Sequence, residues 1–204
     1  MEQFLPLLGT AWEEKKRVFT AASGEDDITR TLFKWMQTTI RGSATINWGL
    51  RCQPEIIEEG INGIGRVLGR CDLIINVANA EYIYECKRLW PEGKQARFTK
   101  SARLYVTEGL FRFLHPSKKQ ITSESQYASW LGFAGMLGYV MNGQSLDALV
   151  SVQAAITAHA PAKKLCSPCE PACPSKNAYH FLSTHLDIMA KPVNLHHLLL
   201  AMPV

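Results

Sequence analysis

The stretch Gly69-Arg70-Cys71-Asp72-Leu73-Ile74-Ile75-Asn76 predicts one β-strand, and Tyr82-Ile83-Tyr84-Glu85-Cys86-Lys87-Arg88, a short turn later, predicts a second. They place three charged side chains, Asp72, Glu85 and Lys87, on two largely apolar strands. Because successive side chains of a strand point to opposite faces, Glu85 and Lys87 share one face. If the strands pair as a hairpin, Asp72 converges with Glu85 on one divalent cation, and Lys87 contacts a water that the metal activates. The pattern is typical of phosphodiester hydrolysis.

The composition is that of an ordinary soluble globular protein. The chain has 204 residues, of which 47% are hydrophobic and 20% charged, so we expect a single domain over residues 1–204. A net charge of +4 is compatible with a polyanionic partner. No apolar run approaches the ~18 residues of a membrane span, and the first residues do not resemble a signal segment, so we expect a cytoplasmic protein without a membrane partner. Cys52, Cys71 and Cys86 are expected to be reduced and mostly buried.

Hydrophobic periodicity predicts helices and strands along the whole chain. Residues 127–141 fit a strand or a helix, and the glycine-rich residues 60–65 fit a hairpin turn better than a phosphate-binding loop. The predicted helices span residues 10–22, 25–40, 95–114 and 146–159. The predicted strands span residues 48–59 (one strand or an edge pair), 70–77, 81–88, 179–186 and 194–202.

A helix, a meander of strands, Asp72 on the second strand and Glu85-Cys86-Lys87 on the third together resemble the PD-(D/E)xK nuclease superfamily. The resemblance covers about residues 25–114, and Cys71 stands where the name-giving proline would be. It implies an α/β fold of the restriction-endonuclease-like type, with a mixed central sheet flanked by helices.

The resemblance also implies a Mg²⁺ (or Mn²⁺) site. Asp72 and Glu85 would hold the metal, with the backbone carbonyl of Cys86 and, directly or through water, Glu25 from the start of the second helix. Lys87 would orient or deprotonate the attacking water, or stabilise developing charge. Asp26 is the second choice for the position of Glu25, and helix capping is the alternative role for both. Two further acids, Glu58 and Glu59, are rivals for the same position.

Basic residues follow the second strand of the hairpin and would contact a phosphate backbone. The alternative is a solvated helix face. Tyr84 and Trp90 fit base stacking or, more simply, core packing. The predicted nucleic-acid-binding residues are Lys94, Arg97, Lys100 and Arg103, and Arg112 lies further along the same helix.

A second constellation lies in the Pro/Cys-rich loop, residues 161–175. Its cysteines and one nearby histidine have spacing compatible with a structural zinc site, and the alternative is a flexible loop with thiols. In the last strands, His196 and His197 point to opposite faces, and these histidines, with His185, fit a core or surface role. The possible zinc ligands are Cys166, Cys169, Cys173 and His180.

The function implied by the resemblance is a metal-dependent endonuclease that hydrolyses nucleic-acid phosphodiester bonds; DNA is favoured as the substrate, although the sequence does not separate DNA from RNA. Relatives of this type serve in phage defence and in mobile-element functions, and they act as homodimers or with a partner protein. One alternative is a catalytically silent nucleic-acid-binding or assembly subunit with the same fold. Another is a zinc-organised interaction module. Magnesium-dependent cleavage would favour the nuclease, whereas stoichiometric zinc without such cleavage would favour the zinc-organised module.

Overall fold

A seven-stranded mixed β-sheet flanked by helices organises the protein. The structure is a computed structural model, and it describes residues 4–42, 48–52, 55–59, 65–77, 80–92, 97–114, 134–160, 164–166, 178–187 and 190–203. The prediction of an α/β fold with a mixed central sheet between helices is confirmed at this level.

Five α-helices, a 3₁₀ turn and a π-helical segment accompany nine strands in the described residues. The helical elements are α1 (Phe4–Lys15), the 3₁₀ turn Lys16–Val18, α2 (Glu25–Arg41), α3 (Thr99–Leu104), the π segment Tyr105–Leu110, α4 (Phe111–Leu114) and α5 (Ser145–His159). The strands are β1 (Trp48–Cys52), β2 (Glu55–Glu59), β3 (Gly65–Arg70), β4 (Leu73–Val77), β5 (Ala80–Leu89), β6 (Ala134–Val140), β7 (Lys164–Cys166), β8 (Ala178–Leu186) and β9 (Pro192–Ala201).

The strands of the main sheet lie in the order β1-β4-β5-β6-β9-β8-β7. β4 pairs with β1 on one side and β5 on the other, both antiparallel, whereas β6 runs parallel to both β5 and β9. β8 and β7 complete the sheet in antiparallel fashion. Between β1 and β4 in the chain, β2 and β3 form a separate antiparallel pair.

The two faces of the sheet carry separate hydrophobic clusters. One cluster joins α1 and α2 to the sheet through Trp12, Leu32 and Tyr84. The other joins the helices after β5, and α5, to the opposite face and includes Phe98 and Val152. Residues of β5 therefore alternate between the two clusters, as a strand covered on both faces requires.

Three predicted helix boundaries are wrong. The predicted helix 10–22 ends early, because α1 ends at Lys15, the 3₁₀ turn ends at Val18 and Phe19 is extended. The first helix begins at Phe4 instead of residue 10, because Pro6 lies in its first turn, where the missing N–H costs nothing. The predicted helix 95–114 begins only at Thr99, since Arg97 forms a β-bridge with Glu92. Its middle part is π-helical. Helices α2 and α5 match their predictions closely.

The strand predictions also need correction in places. The predicted unit 48–59 consists of two strands in different sheets, β1 and β2. The predicted strand 70–77 begins at Leu73, because Arg70 ends β3 and a bend follows. The ambiguous segment 127–141 contains β6 from residue 134. Within the predicted loop 161–175, Lys164–Cys166 form β7. Residues 60–64 and 167–175 lie outside the described part of the chain.

The cysteines of the core region fit their prediction in part. Cys71 and Cys86 are fully buried, whereas Cys52 is half-buried. Among the helices that the structure describes, none has the length and apolar character needed to cross a membrane.

Candidate functional site

The candidate site lies where β5 continues beyond the end of β4. Leu73, the first residue of β4, pairs with Tyr84, so residues 85–88 of β5 have no β4 residue opposite them. On its other side this part of β5 is paired with β6. We call the uncovered backbone of residues 85–88 the β5 edge. Its amides need partners other than a neighbouring strand.

Asp72 supplies the first of those partners. It occupies the bend just before β4, and its Oδ2 accepts a hydrogen bond of 2.6 Å from the backbone N–H of Cys86. The carboxylate is thereby fixed against the peptide that follows Glu85. The predicted proximity of Asp72 to the Glu85-Cys86-Lys87 segment is therefore present in the structure.

Glu25 supplies the second partner. Its Oε2 accepts a hydrogen bond of 3.0 Å from the backbone N–H of Arg88, and its Oε1 lies 3.0 Å from Lys87 Nζ. Glu25 is the first residue of α2, whose N-cap is Gly24. Its carboxylate thus contacts the β5 edge, and its predicted role in metal binding stays a prediction.

Lys87 contacts both Glu25 and the backbone of Cys86. Besides its ion pair with Glu25, its Nζ donates a hydrogen bond of 2.7 Å to the backbone carbonyl of Cys86. That carbonyl is the predicted backbone ligand of the metal, so in this structure it carries a lysine contact. The Lys87 side chain is 13% exposed and lies on the face covered by the π segment.

Glu85 is held separately, by an arginine. Its side chain is 0% exposed, and its Oε2 lies 2.7 Å from Arg112 Nη1. Arg112 belongs to α4 and remains 36% exposed. A carboxylate buried to this degree needs a charged or strongly donating partner, because an isolated ion in the interior is costly.

The charges of these groups act on one another. Burial lowers the pKa of Lys87, but the carboxylates of Glu25, Glu85 and Asp72 outweigh it, so the pKa is raised and the side chain remains an ammonium. Burial raises the pKa of Glu25, against the attraction of Lys87. Burial and the charges of Glu85 and Asp72 raise the pKa of Cys71 to about 12. All these effects indicate one compact electrostatic cluster.

Contacts on the opposite face of β5 connect this strand to α2. Cys86 is fully buried there, and its Sγ accepts a hydrogen bond from the Tyr139 hydroxyl, which also lies 3.0 Å from the Thr29 hydroxyl of α2. Burial raises the pKa of the Cys86 thiol well above its usual value, so it remains protonated. This contact fixes α2, and with it Glu25, relative to β5.

The oxygen groups of this cluster fit a magnesium ion chemically. In the part of the chain that the structure describes, no group of three or more Asp, Glu, His or Cys side chains is arranged to hold a metal. Mg²⁺ commonly binds through one or two carboxylates and keeps several waters. Asp72 and the buried Glu85 provide two carboxylates, and hard oxygen donors suit Mg²⁺ or Mn²⁺.

The predicted nucleic-acid-binding residues are exposed where the structure describes them. Arg97, Lys100 and Arg103 lie at or near α3 with exposed side chains, and Lys94 falls outside the described residues. Tyr84 is 0% exposed with its ring 5.2 Å from that of Phe4, so the core-packing alternative applies to it. The side chains of Glu58 and Glu59 are outside the described part.

The histidines of the last strands form buried contacts. His197 Nδ1 lies 3.0 Å from the Tyr105 hydroxyl, and its Nε2 lies 2.7 Å from Ser183 Oγ, which in turn lies 2.7 Å from His185 Nε2. His196 lies on the other face, 3.0 Å from His180 Nε2. The core interpretation of His185 and His197 is therefore confirmed.

The possible zinc site stays a prediction. Cys169, Cys173 and the side chain of Cys166 lie outside the described residues. The backbone of Cys166 pairs with Leu182, two residues along β8 from His180. The Nδ1 of His180 is buried and has no hydrogen-bond partner among the described residues.

Two residues of the site were not identified from the sequence. Arg112 was one of several basic residues near a helix, and nothing in the sequence distinguished it as the partner of Glu85. Gly109 allows the π segment to pass close to β5, since a Cβ there would lie 3.4 Å from Lys87 Cγ and 2.3 Å from Met136 Cε. The feature that points to Gly109 is a small residue in a π segment next to charged groups. Such segments are frequent at functional sites.

No family model, curated protein or solved structure matches this chain.

Proposed function

We propose that the protein is a metal-dependent nuclease that hydrolyses nucleic-acid phosphodiester bonds, with DNA as its substrate. The observation that carries the proposal is the meeting of Glu25, Asp72, Glu85 and Lys87 around the β5 edge. These residues come from three different elements, and three of them are carboxylates. If the β5 edge were only structural, neutral hydrogen-bonding groups would satisfy its backbone amides at a lower desolvation cost than carboxylates do.

The order of elements supports the same proposal. α2 is followed by the antiparallel neighbours β1, β4 and β5, and then by helices and the parallel strand β6. Asp72 directly precedes the second of these strands, and Glu85 and Lys87 lie on the third. This arrangement is the one that the resemblance to the PD-(D/E)xK superfamily implies, and we propose a restriction-endonuclease-like fold on that basis.

Asp72 and Glu85 would hold the metal, with the Cys86 carbonyl and Glu25 nearby. When bound, Mg²⁺ polarises a phosphate and acidifies a water molecule. Lys87 is an ammonium in this structure, so its role in the proposed reaction is that of a donor that orients water or stabilises negative charge. Glu25 positions Lys87 through the 3.0 Å ion pair.

The exposed basic residues of α3 support a polyanionic substrate. Arg97, Lys100 and Arg103 are exposed and follow β5 in the chain, so they would contact phosphates without reading sequence. A homodimer or a partner protein would supply the second active site needed to cut both strands of a duplex.

The test is a cleavage assay with duplex DNA, single-stranded DNA and RNA in the presence of Mg²⁺ or Mn²⁺. Asp72→Asn keeps an oxygen that accepts the Cys86 N–H, and Lys87→Gln keeps a polar side chain. Both variants therefore test the loss of the charge alone. Each is expected to lose at least about 100-fold in cleavage rate. Asp26→Asn and Lys34→Gln on the exposed face of α2 are the matched controls, with unchanged rates.

Cleavage that survives both site substitutions would contradict the assignment of the site. The ion pair between Glu85 and Arg112 favours a second candidate, a catalytically silent nucleic-acid-binding subunit, because it leaves the buried carboxylate already compensated. That candidate predicts salt-dependent binding of nucleic acid by the wild type, with no cleavage under either metal.

A further inference from the structure

We propose that Arg112 competes with the divalent metal for the Glu85 carboxylate, and so acts as a latch on metal binding. This inference rests on the proposed function, since it assumes that Glu85 is a metal ligand. It concerns a residue outside the predicted ligand set.

The two partners of the ion pair differ in burial, and Arg112 is the more exposed of the two. Glu85 is 0% exposed and belongs to β5, which is paired with β6 at this position. Arg112 lies on the short helix α4, and 36% of its side chain is exposed. An arginine reaches its partner through a long flexible side chain, so its guanidinium leaves the pair without moving the backbone.

The 2.7 Å contact places the Arg112 guanidinium on one of the two oxygens of the Glu85 carboxylate. A guanidinium N–H and a metal ion bind the same carboxylate lone pairs, and both carry the positive charge that a buried carboxylate requires. Holding both cations at one buried carboxylate is opposed by their repulsion. Metal binding at the Glu85 carboxylate is therefore weakened as long as Arg112 remains paired with it.

The other two carboxylates lack an equivalent latch. Asp72 accepts a neutral backbone N–H from Cys86, which leaves its charge uncompensated by that contact. Glu25 is paired with Lys87, which is the predicted catalytic cation. Arg112 is thus the cation whose release alters metal affinity without removing a predicted catalytic group. Once released, its guanidinium is chemically suited to a substrate phosphate.

The experiment is a calorimetric titration of the full chain with Mn²⁺, without nucleic acid. Arg112→Gln removes the competing charge and is expected to bind Mn²⁺ at least about tenfold more tightly than the wild type. Arg112→Lys keeps a cation without the planar fork and is expected to lie between the two. Arg30→Gln, on the exposed face of α2, is the matched control and is expected to bind Mn²⁺ like the wild type.

Loss of the guanidinium beside a buried carboxylate is also expected to lower thermal stability, so stability is measured in parallel. In EDTA, Arg112→Gln is expected to unfold at least about 5 °C below the wild type, and Mn²⁺ is expected to recover most of that loss. Combining Arg112→Gln with Glu85→Gln is expected to restore stability in EDTA and to remove the extra response to Mn²⁺.

Unchanged or weaker Mn²⁺ binding by both Arg112 variants would overturn the latch. The titration separates this result from a failure of the proposed function, because no nucleic acid is present. Tighter binding by Arg112→Gln supports the latch even if no polymer is cleaved. Cleavage by the wild type with equal Mn²⁺ affinities overturns the latch and leaves the nuclease proposal standing.

Discussion

Lys87 is subject to two opposing effects, burial and the attraction of nearby carboxylates. Burial of the ammonium lowers its pKa, whereas Glu25, Glu85 and Asp72 raise it above the usual 10.5, and the carboxylates dominate. Because the folded-state pKa is raised, the stabilising contribution of Lys87 is present below pH 10.5 and is lost as pH rises through its folded-state pKa. At neutral pH the residue is therefore a stable donor.

Glu25→Gln is expected to lower the pKa of Lys87, because Glu25 makes the largest attractive contribution to it. The amide still has an oxygen to accept the N–H of Arg88, so the contact of α2 with β5 is retained. The measurement is an NMR titration of the Lys87 side chain in both proteins. Loss of the ion pair is expected to cost about 1 kcal/mol of unfolding free energy.

The control for this prediction is Asp26→Asn, one residue further along α2. Asp26 is exposed and pairs with Arg30, and no contact joins it to Lys87 in the described residues. The Lys87 titration should be unchanged in this variant. An equal Lys87 pKa in the wild type and in Glu25→Gln would contradict the assigned cause.

The residues of the site were predictable to the extent that local rules apply. Strand alternation places Glu85 and Lys87 on one face. Glu25 was proposed from the family resemblance, whereas the local rule for acids in the first turn of a helix predicts only a capping role. Arg112 contacts Glu85 across a sequence separation of 27, through elements whose relative placement no local pattern gives. The contact between Arg112 and Glu85 therefore could not be predicted from the sequence.

At the scale of elements, glycine sets how closely β6 lies against its neighbours. A Cβ on Gly135 would lie 2.2 Å from the Tyr84 ring and 2.9 Å from the backbone carbonyl of His196. The carbonyl belongs to the sheet and has little freedom to move. β6 therefore needs a glycine at this position to pack between β5 and β9.

Gly135→Ala is expected to lower the free energy of unfolding by at least about 2 kcal/mol, because the added methyl overpacks the centre of the sheet. Gly49→Ala is the matched control, since the nearest atoms to its Cβ, in the Asn76 side chain, lie 3.7 Å away. That variant should stay within about 0.5 kcal/mol of the wild type. Chemical denaturation measures both, and equal stabilities would contradict the close packing.

Periodicity predicted the elements that are regular over their whole length, and it did not predict the irregular ones. α2 and α5 have uninterrupted amphipathic or apolar patterns, so their bounds match to within one residue. The helix expected over 95–114 is divided because a π segment inserts at Tyr105–Leu110. β1 pairs with β4, although β2 and β3 lie between them in the chain. Alternation within a single strand cannot predict this long-range pairing.

At the scale of the whole molecule, buried neutral histidines couple stability to pH. Burial lowers the pKa of His185 from 6.5 to about 4, and burial lowers that of His197 well below 6.5. Both belong to the hydrogen-bonded group that links β8 and β9 to Tyr105 in the π segment. Burial therefore makes protonation of these two imidazoles less favourable in the folded protein than in the unfolded chain.

Acidification is therefore expected to destabilise the protein between pH 6.5 and about 4. In that window the unfolded chain binds protons that the folded chain does not, so the free energy of unfolding falls as pH falls. Each such histidine contributes about 1.4 kcal/mol per pH unit, and His185 alone amounts to roughly 3 kcal/mol by pH 4.

Denaturant unfolding at a series of pH values between 5 and 7 checks this expectation, and the informative quantity is the slope. His185→Gln removes one titrating group and is expected to make the slope shallower by about 1.4 kcal/mol per pH unit below pH 6. His159→Gln, at the exposed end of α5, is the matched control for the same substitution outside the buried histidine group. Equal slopes in the wild type and His185→Gln would show that His185 titrates alike in the folded and unfolded states, and that its burial in the core does not control the response to acid.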